Sequence, residues 1–570
     1  MRTINLNLNK LIWLLQTYSE KIRIRLEDKL LLSKYECSFN PSGFTPTSRN
    51  STVKSEIVSI FLFSPGFTPQ ALSISLDSLV NQTNPNWVCF VVNPTANIAK
   101  ILSQFNDQRI KEISFEDIFE TQFLQFLSLC DGNYFCVINP GDTLCANFVE
   151  TLAGRQEEIL FFDHGITPFN KNKFHYFLKP QWSPELWLNV DILKGAAFRI
   201  SFVKNMVAKY GNRWMAGAIL NAQEIVHIPQ SIITSFAFPW ENETEREKHH
   251  HLVEDYLNLQ GVPLPNISYR NNGSFKFNWQ KSTKKVSIII PNRDQPKILR
   301  RCLESIFQKT DYPNFEVIIV DDNSQNQELL DFYHNLKREK QNFRIITGQR
   351  PFNFSQACNL GASNADGEFL LFLNNDTEII SPDWLRNLVG VVRLPGVGAV
   401  GAKLIYPNGR VQHAGVIIGL EGHASHVFQG VADDPFTPYG YVDWMRNVSA
   451  VTAACMIVNK EIFWKVGGFD EQFQIAFGDI DFCLRLRDAG YRIVYTPDAT
   501  LIHHEGKSRG KYIPAHDILV KRDYFLEKIK QGDPYYHPAL SRAWRIPTLR
   551  RKWEQNPEER FLKIITYFGI

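Results

Sequence analysis

The sequence predicts an α/β protein built from two tandem, related domains with mostly parallel sheets, preceded by an N-terminal helical segment. Three observations carry this. From Glu56 onward, short apolar strands alternate with amphipathic helices, the signature of βαβ winding. The same order of elements returns after Lys285. The strands are near-continuous apolar runs, as in parallel sheets covered by helices on both faces.

Composition fits this reading. A chain of 570 residues is too long for one core. With 44% hydrophobic and 21% charged residues it has the balance of a folded globular protein. A formal net charge of +3 leaves no electrostatic footprint for nucleic acid. The nine cysteines form no CxxC pair, so they read as reduced thiols of a cytoplasmic protein. Apolar runs such as Leu11 to Leu15 fall far short of the roughly 20 residues of a membrane span, and no signal-peptide pattern is present.

Residues 1–54 contain an amphipathic stretch, Leu6 to Leu32, with Lys10, Lys21, Arg23 and Arg25, then a Ser/Pro/Thr/Gly-rich linker. The helix either packs on a neighbouring element or touches anionic lipid. Residues 55–280 read as a first domain. Its strands are Ile57–Phe63, Trp87–Val92 and Asn133–Ile138, the last two closed by Asn93-Pro94 and Asn139-Pro140-Gly141-Asp142. Residues 281–540 repeat the order with Val286–Asn292, Phe315–Asp322 and Phe369–Asp376, and 541–570 form a helical tail. Ser305 to Phe315 echoes Ser78 to Trp87, which marks an internal duplication. The join falls in the Asn/Gly/Ser/Lys-rich stretch Asn271 to Lys284. The first copy has lost most of the carboxylates at its strand ends, so it is expected to be non-catalytic.

Chemistry is expected at the carboxyl ends of the second copy's strands, where open α/β sheets bind ligands. The run Phe369 to Leu373 ends in Asn374-Asn375-Asp376. Asp376 is a hard oxygen ligand suited to Mg²⁺ or Mn²⁺; alternatively the three residues only form a turn and a cap. Asp321 and Asp322 can accept hydrogen bonds from a base or ribose, or simply shape a turn. Asp479 stands at the start of a helix that pairs Asp481 with Arg485 at i,i+4. One of these aspartates can act as a general base, kept ionised by the helix N-terminus; a plain cap and a surface ion pair are the alternatives. His503-His504 follows an apolar strand and can complete a divalent shell. Lys507 and Arg509 follow on a Gly-bounded loop, placed to neutralise phosphate. Leu420 to Trp444 carries many aromatic residues among small polar ones, and reads as an acceptor loop or as an excursion tucked into the core.

Together these segments resemble a family 2 glycosyltransferase of the GT-A fold. The match runs from about 285 to 535 through Val286–Asn292, Val320–Ser324, Phe372–Glu378, Gly467–Glu471, Asp479–Arg485 and His503–Glu505. The front copy resembles the degenerate first domain of tandem bacterial polysaccharide and O-antigen glycosyltransferases, at Lys179 to Pro184 and His227-Ile228-Pro229. Asp533 to Pro538 is similar to the tail such proteins carry. The resemblance implies inverting transfer from a nucleotide-sugar donor to a glycan or lipid-linked acceptor, with peripheral contact to the inner membrane face. Pro291, Asn292, Arg293, Asp321, Asp322, Asn374 and Asn375, with Lys507 and Arg509, would bind the donor. Asp376, Asn374 and His503 would hold Mg²⁺ or Mn²⁺, with His504 the alternative imidazole. Asp479 would be the base, supported by Asp481. Phe469, Asp470, Glu471 and Trp444 would meet the acceptor. Two departures stand out: the metal motif is Asn-Asn-Asp rather than Asp-x-Asp, and Gly478 replaces the usual acidic or amide residue before the base. A non-catalytic, glycan-binding scaffold is the competing class, against which the retained carboxylates of the second copy argue. Nucleotidyl transfer is a third, but no Gly-rich phosphate loop follows Ile290.

Overall fold

The structure, a computed structural model, describes residues 57–63, 68–113, 127–128, 130, 132–167, 175–349, 351–432, 434–504 and 514–567. The helix and linker expected before residue 55, and the basic loop with Lys507 and Arg509, lie outside the described residues.

The first sheet contains β1 (Val58–Phe63), β2 (Trp87–Val92), β3 (Ile110–Ile113), β4 (Tyr134–Ile138), β5 (Thr143–Leu144), β6 (Ile159–Ile166), β7 (His175–Phe177), β8 (Ala197–Arg199) and β9 (Ile225–Ser235). Its order is β3-β2-β1-β4-β8-β6-β9-β5, with β7 beside β6. Strands β3 to β4 of that order are parallel; the rest is mixed. A hairpin of β10 (Asn266–Tyr269) and β11 (Phe275–Asn278) leads to the second sheet.

That sheet contains β12 (Val286–Asn292), β13 (Phe315–Asp321), β14 (Phe343–Thr347), β15 (Phe369–Leu373), β16 (Thr377–Ile379), β17 (Val397–Ile405) and β18 (Val411–His413). After the small hairpin β19 (Val416–Ile418) and β20 (Ala424–His426) come β21 (Arg446–Asn447), β22 (Cys455–Asn459) and β23 (Arg492–His503). The order β14-β13-β12-β15-β22-β17-β23-β16 repeats the first sheet strand for strand. Finer detail repeats too. The parallel pair β6·β9 shifts register at Phe162/Asp163, and β17·β23 does so at Ala402/Lys403. Asn93 after β2 and Asn323 after β13 both adopt a left-handed backbone at φ 51°. The duplication read from the sequence therefore extends to bulges and turns.

Local sequence accounts for the elements that frame the site. All seven residues of β12 are buried, the apolar Val286 and Ile288–Pro291 together with Ser287 and Asn292. The helix Pro296–Lys309 starts with proline, whose missing N–H is no loss in the first turn. It buries Leu299, Cys302, Leu303 and Ile306, an i, i+3/i+4 stripe, against the sheet. The stretch Asn271–Lys284, where the join is expected, is a packed element: Phe275, Phe277 and Trp279 are buried on alternate positions, so strand periodicity overrides the turn-rich composition.

The two units share one core, since the largest apolar cluster runs through both sheets. The excursion Leu420 to Trp444 supplies much of that contact. Trp444 is fully buried, with its ring 4.7 Å from Trp240 and 5.3 Å from Phe177; Phe436 lies 4.5 Å from Phe238. Trp444 is thus a core residue between the units rather than an acceptor platform. Among the described residues no helix is long and apolar enough to cross a membrane.

Candidate active site

The second sheet brings three turns together at the carboxyl ends of β12, β13 and β15. Asn375 Nδ2 donates to Asn292 Oδ1 at 2.7 Å, joining the turn after β15 to the end of β12. The Asp322 N–H donates to the Asn292 carbonyl at 2.9 Å, joining β13 to the same point. Asn292 Nδ2 donates to the Tyr333 hydroxyl at 3.0 Å, which in turn donates to Asp321 Oδ1 at 3.0 Å.

This network separates the adjacent aspartates. Asp321 also accepts the Ser324 N–H at 2.8 Å and hydroxyl at 2.6 Å, so its carboxylate holds the turn. Asp322 lines a small pocket with Val320, Gly348, Gln349, Asn353 and Gln356, and Arg293 reaches its Oδ2 at 3.5 Å. Of the donor residues expected from sequence, Asp322 therefore faces the pocket, with the exposed Arg293 beside its carboxylate. Pro291, Asn292, Asn375 and Asp321 are buried behind it and position the turns.

Asp376 and His503 form the second feature. Strand β16 pairs antiparallel with the end of β23, Thr377 opposite His503, which delivers the imidazole to the turn. His503 Nε2 lies 3.1 Å from Asp376 Oδ1 and 3.4 Å from Asn374 Nδ2. Burial alone would raise the Asp376 carboxyl; the hydrogen bond and charge of His503 hold it below the usual carboxylate range. His504 turns away to Glu378 Oε2 at 3.1 Å and Arg301, so His503 is the imidazole of this pair.

The turn Thr452–Ala454 carries the third feature. Its Ala454 carbonyl accepts the Asn374 N–H at 3.1 Å, and its Ala453 N–H donates to Asp479 Oδ2 at 3.1 Å. Asp479 thus sits across one turn from the Asp376–His503 pair. It lies in the first turn of the helix Gly478–Asp488, whose N-cap Phe477 adopts a left-handed backbone at φ 63°. A non-glycine residue held there costs on the order of 1–3 kcal/mol, strain that accumulates at functional sites. Burial raises the Asp479 carboxyl above the ordinary aspartate range, despite hydrogen bonds from Ala453, Thr452 and Ile480. The sequence argument from the helix terminus alone missed this, because the terminus is also withdrawn from water.

Other expected site residues take supporting positions. Asp481 is fully buried, accepting Arg485 Nε at 2.8 Å and Lys521 Nζ at 2.7 Å. Arg485 donates onward to the Val466 and Gly468 carbonyls at 2.5 and 2.8 Å. Asp481 therefore braces the glycine turn, and its pairing with Arg485 is a core feature rather than a surface one. Phe469 is buried among Phe372, Phe463 and Phe482, which removes it from acceptor contact through its ring face. Asp470 binds Lys521 at 2.8 Å and Glu471 is exposed; both line a cleft of about 730 Å³ with Gln349, Gln356 and the exposed Trp464. Trp464, Thr452 and Tyr333 were not singled out from sequence. Only Trp464, an aromatic beside the glycine turn, left a signal there.

In the first unit the matching positions are altered. Asp142 precedes β5 as Asp376 precedes β16, but its Oδ2 accepts the Asn139 N–H at 3.0 Å with Lys194 Nζ at 4.0 Å. Thr234 stands opposite Thr143 where His503 stands opposite Thr377.

Asp163, His227 and His537 also gather within 4.8 Å, all buried. His537 Nδ1, however, accepts the Ala539 N–H at 3.0 Å, which leaves the protonated Nε2 facing Asp163 Oδ2 at 3.0 Å. A metal would need that nitrogen's lone pair. The cluster is a clamp between the units that joins two segments singled out in the sequence, around His227 and His537.

Residues 287–467 match the model of the family described as glycosyl transferase family 2, and the second unit is a domain of that family. The chain is 31% identical over 527 residues to the O-antigen biosynthesis protein RfbC of Myxococcus xanthus, covering 85% of this chain and 40% of that protein. It is 40% identical over 316 residues to the uncharacterized protein y4gI of Sinorhizobium fredii, covering 54% of this chain and 34% of that one. Over 137 residues it is 37% identical to an N-acetylglucosaminyl-diphospho-decaprenol L-rhamnosyltransferase of Mycobacterium tuberculosis, covering 22% of this chain and 43% of that one. The chain thus spans 40% or less of the length of the first two relatives.

Proposed function

We propose that residues 281–540 catalyse inverting transfer of a sugar from a nucleotide-diphosphate sugar to a glycan or lipid-linked acceptor in cell-surface polysaccharide synthesis. In this reading residues 55–280 are a non-catalytic copy and 541–570 a packing tail. The observation that carries it is the meeting of the Asp322 pocket, the Asp376–His503 pair and Asp479 around adjoining turns. The names of two relatives, an O-antigen biosynthesis protein and a diphospho-decaprenol rhamnosyltransferase, support the acceptor class.

The side chains at the pair suit Mg²⁺ or Mn²⁺. Asp376 offers a carboxylate held ionised, and Asn374 an amide at the same point. His503 Nε2 faces the same carboxylate and its buried Nδ1 has no hydrogen-bond partner, so the ring proton can reside on Nδ1 and leave the Nε2 lone pair for a cation. Two strong protein ligands match an ion that completes its shell with donor phosphate oxygens. When bound, such an ion supplies positive charge against the departing diphosphate.

The chain's own residues do the rest. Asp322 accepts hydrogen bonds from base or ribose and fixes the donor's register. Asp479 takes the proton of the acceptor hydroxyl as it attacks the anomeric carbon from the face opposite the nucleotide, giving inversion in one displacement. A carboxyl raised towards neutrality is the stronger base for this step. Phe477 and the Ala453 N–H hold it in place. The test is a panel of nucleotide-sugars titrated in Mn²⁺ beside an assay for nucleoside diphosphate release. Release of pyrophosphate instead, or binding to no member of the panel, would overturn the reading.

A further inference from the structure

We propose that the first unit serves the reaction by holding the strand that ends in His503, with Glu185 as the positioning residue. Glu185 lies in the short helix Pro184–Asn189 of the first unit and is buried. Each of its carboxylate oxygens lies 3.1 Å from Arg492 Nε, and Arg492 NH2 adds a contact at 2.8 Å. Asn447 Nδ2 donates to Oε2 at 2.6 Å. Both partners belong to the catalytic unit and meet on one strand: Arg492 is the first residue of β23, and Asn447 in β21 pairs with Val494 of β23. The last residue of β23 is His503.

A buried carboxylate persists only where it is paired and hydrogen-bonded. Among the described residues the side-chain hydrogen-bond partners of the Glu185 carboxylate, Arg492 and Asn447, lie across the unit boundary, so its solvation is complete only when the catalytic strand is in place. Neighbouring contacts act in the same sense. Asn189 of the same helix accepts the Met445 N–H at 3.2 Å across the boundary. Asp163 faces His537 of the segment after the catalytic helices. The first copy has lost the groups that would hold a donor. It has gained buried polar groups whose partners are in the second copy. Groups behind a metal ligand fix its orientation and thereby the metal affinity. Here that support comes from the other end of the same strand, on the far side of its register shift between Thr496 and Thr500.

The proposal rests on the transferase reading only for its binding readout. The experiment uses the full chain, as Glu185→Gln, as Glu185→Ala, and as the exchange Glu185→Arg with Arg492→Glu. Hydrogen exchange is followed by mass spectrometry over residues 492–503, and Mn²⁺ is titrated in the presence of the tightest nucleotide-sugar of the panel. The expected result for Glu185→Gln is at least tenfold faster exchange along 492–503, including the His503 end. The half-saturating Mn²⁺ concentration should rise at least fivefold, while metal-free binding of the nucleoside diphosphate at Asp322 changes less than twofold. The charge exchange should recover part of both losses. If Glu185→Ala does not fold, the isosteric Gln variant still decides. Exchange over 492–503 within twofold of the parent, or faster exchange confined to 180–190, would overturn the proposal. The exchange readout requires no transferase activity, so failure of the proposed function leaves it intact, and the converse also holds.

Discussion

Asp479→Asn should separate turnover from stability. Asn preserves the shape of the side chain and can still accept the Ala453 N–H, but it cannot take a proton. General-base catalysis contributes roughly 10²–10⁴-fold, which at about 1.36 kcal/mol per decade is about 2.7–5.4 kcal/mol of barrier. Stability should move the other way. Burial raises the folded-state pKa of Asp479 above the value of about 3.9 expected in an unfolded chain. Between those two values the folded protein binds the proton more tightly, so this group's contribution to stability falls as pH rises through the window and stays reduced above it. At pH 7 the Asn variant removes that penalty and should melt at the same temperature as the parent or higher. The same shift places the acid limb of the parent's kcat/KM above the range of an ordinary aspartate. The assay pairs nucleoside diphosphate release with a thermal melt and donor titration. Full turnover in Asp479→Asn, or a lower melting temperature with loss of donor binding, would refute the reasoning.

Asp481→Ala should act on the fold: it leaves Arg485 and Lys521 without their shared buried carboxylate, a loss of about 3–5 kcal/mol visible in the urea midpoint. Trp444→Ala should cost about 3–5 kcal/mol through the cavity left between the units. Acceptor KM should stay unchanged at temperatures where the variant is folded, because the ring touches Trp240 and Phe177 rather than solvent. Lys179 is buried in the first unit and burial pushes its ammonium down to about 7. The unfolded chain binds more protons between that value and the ordinary lysine pKa of about 10.4, so stability should rise with pH across the window, and Lys179→Met should flatten the profile.

The sequence was informative where a motif and a strand end coincide. Asp376 lies in the turn after β15 and His503 ends β23, and each could be placed at the carboxyl edge from the apolar run before it. Strand order, bulge positions and the left-handed Asn93 and Asn323 repeat between the two copies, as the duplication visible in the sequence requires, but which order, bulges and turns they are came only from the structure. What sequence could not resolve is which way a side chain faces once a second unit covers it. Trp444 and Phe469 carry aromatic rings fit for sugar stacking, yet both are buried, one against the first unit and one in the core. Asp321 and Asp322 are neighbours of the same type; only the hydrogen bonds from Ser324 and Tyr333 show that one holds a turn and the other faces a pocket. Asp481 and Asp479 are likewise told apart only by their partners, Arg485 and Lys521 for the first and the backbone of Ala453 and Ile480 for the second. The pairing of Glu185 with Arg492 spans 307 positions and leaves no local pattern.

The central claim is that one site, built on Asp376 and His503, joins a divalent ion to a nucleotide-sugar. Calorimetric titration of the full chain with the nucleotide-sugar panel, with and without Mn²⁺, tests it most directly. The account predicts binding that strengthens with Mn²⁺ in the parent and in Asp479→Asn, and loses that dependence in Asp376→Ala. Donor binding indifferent to Mn²⁺ in the parent, or equally metal-dependent in Asp376→Ala, would contradict it.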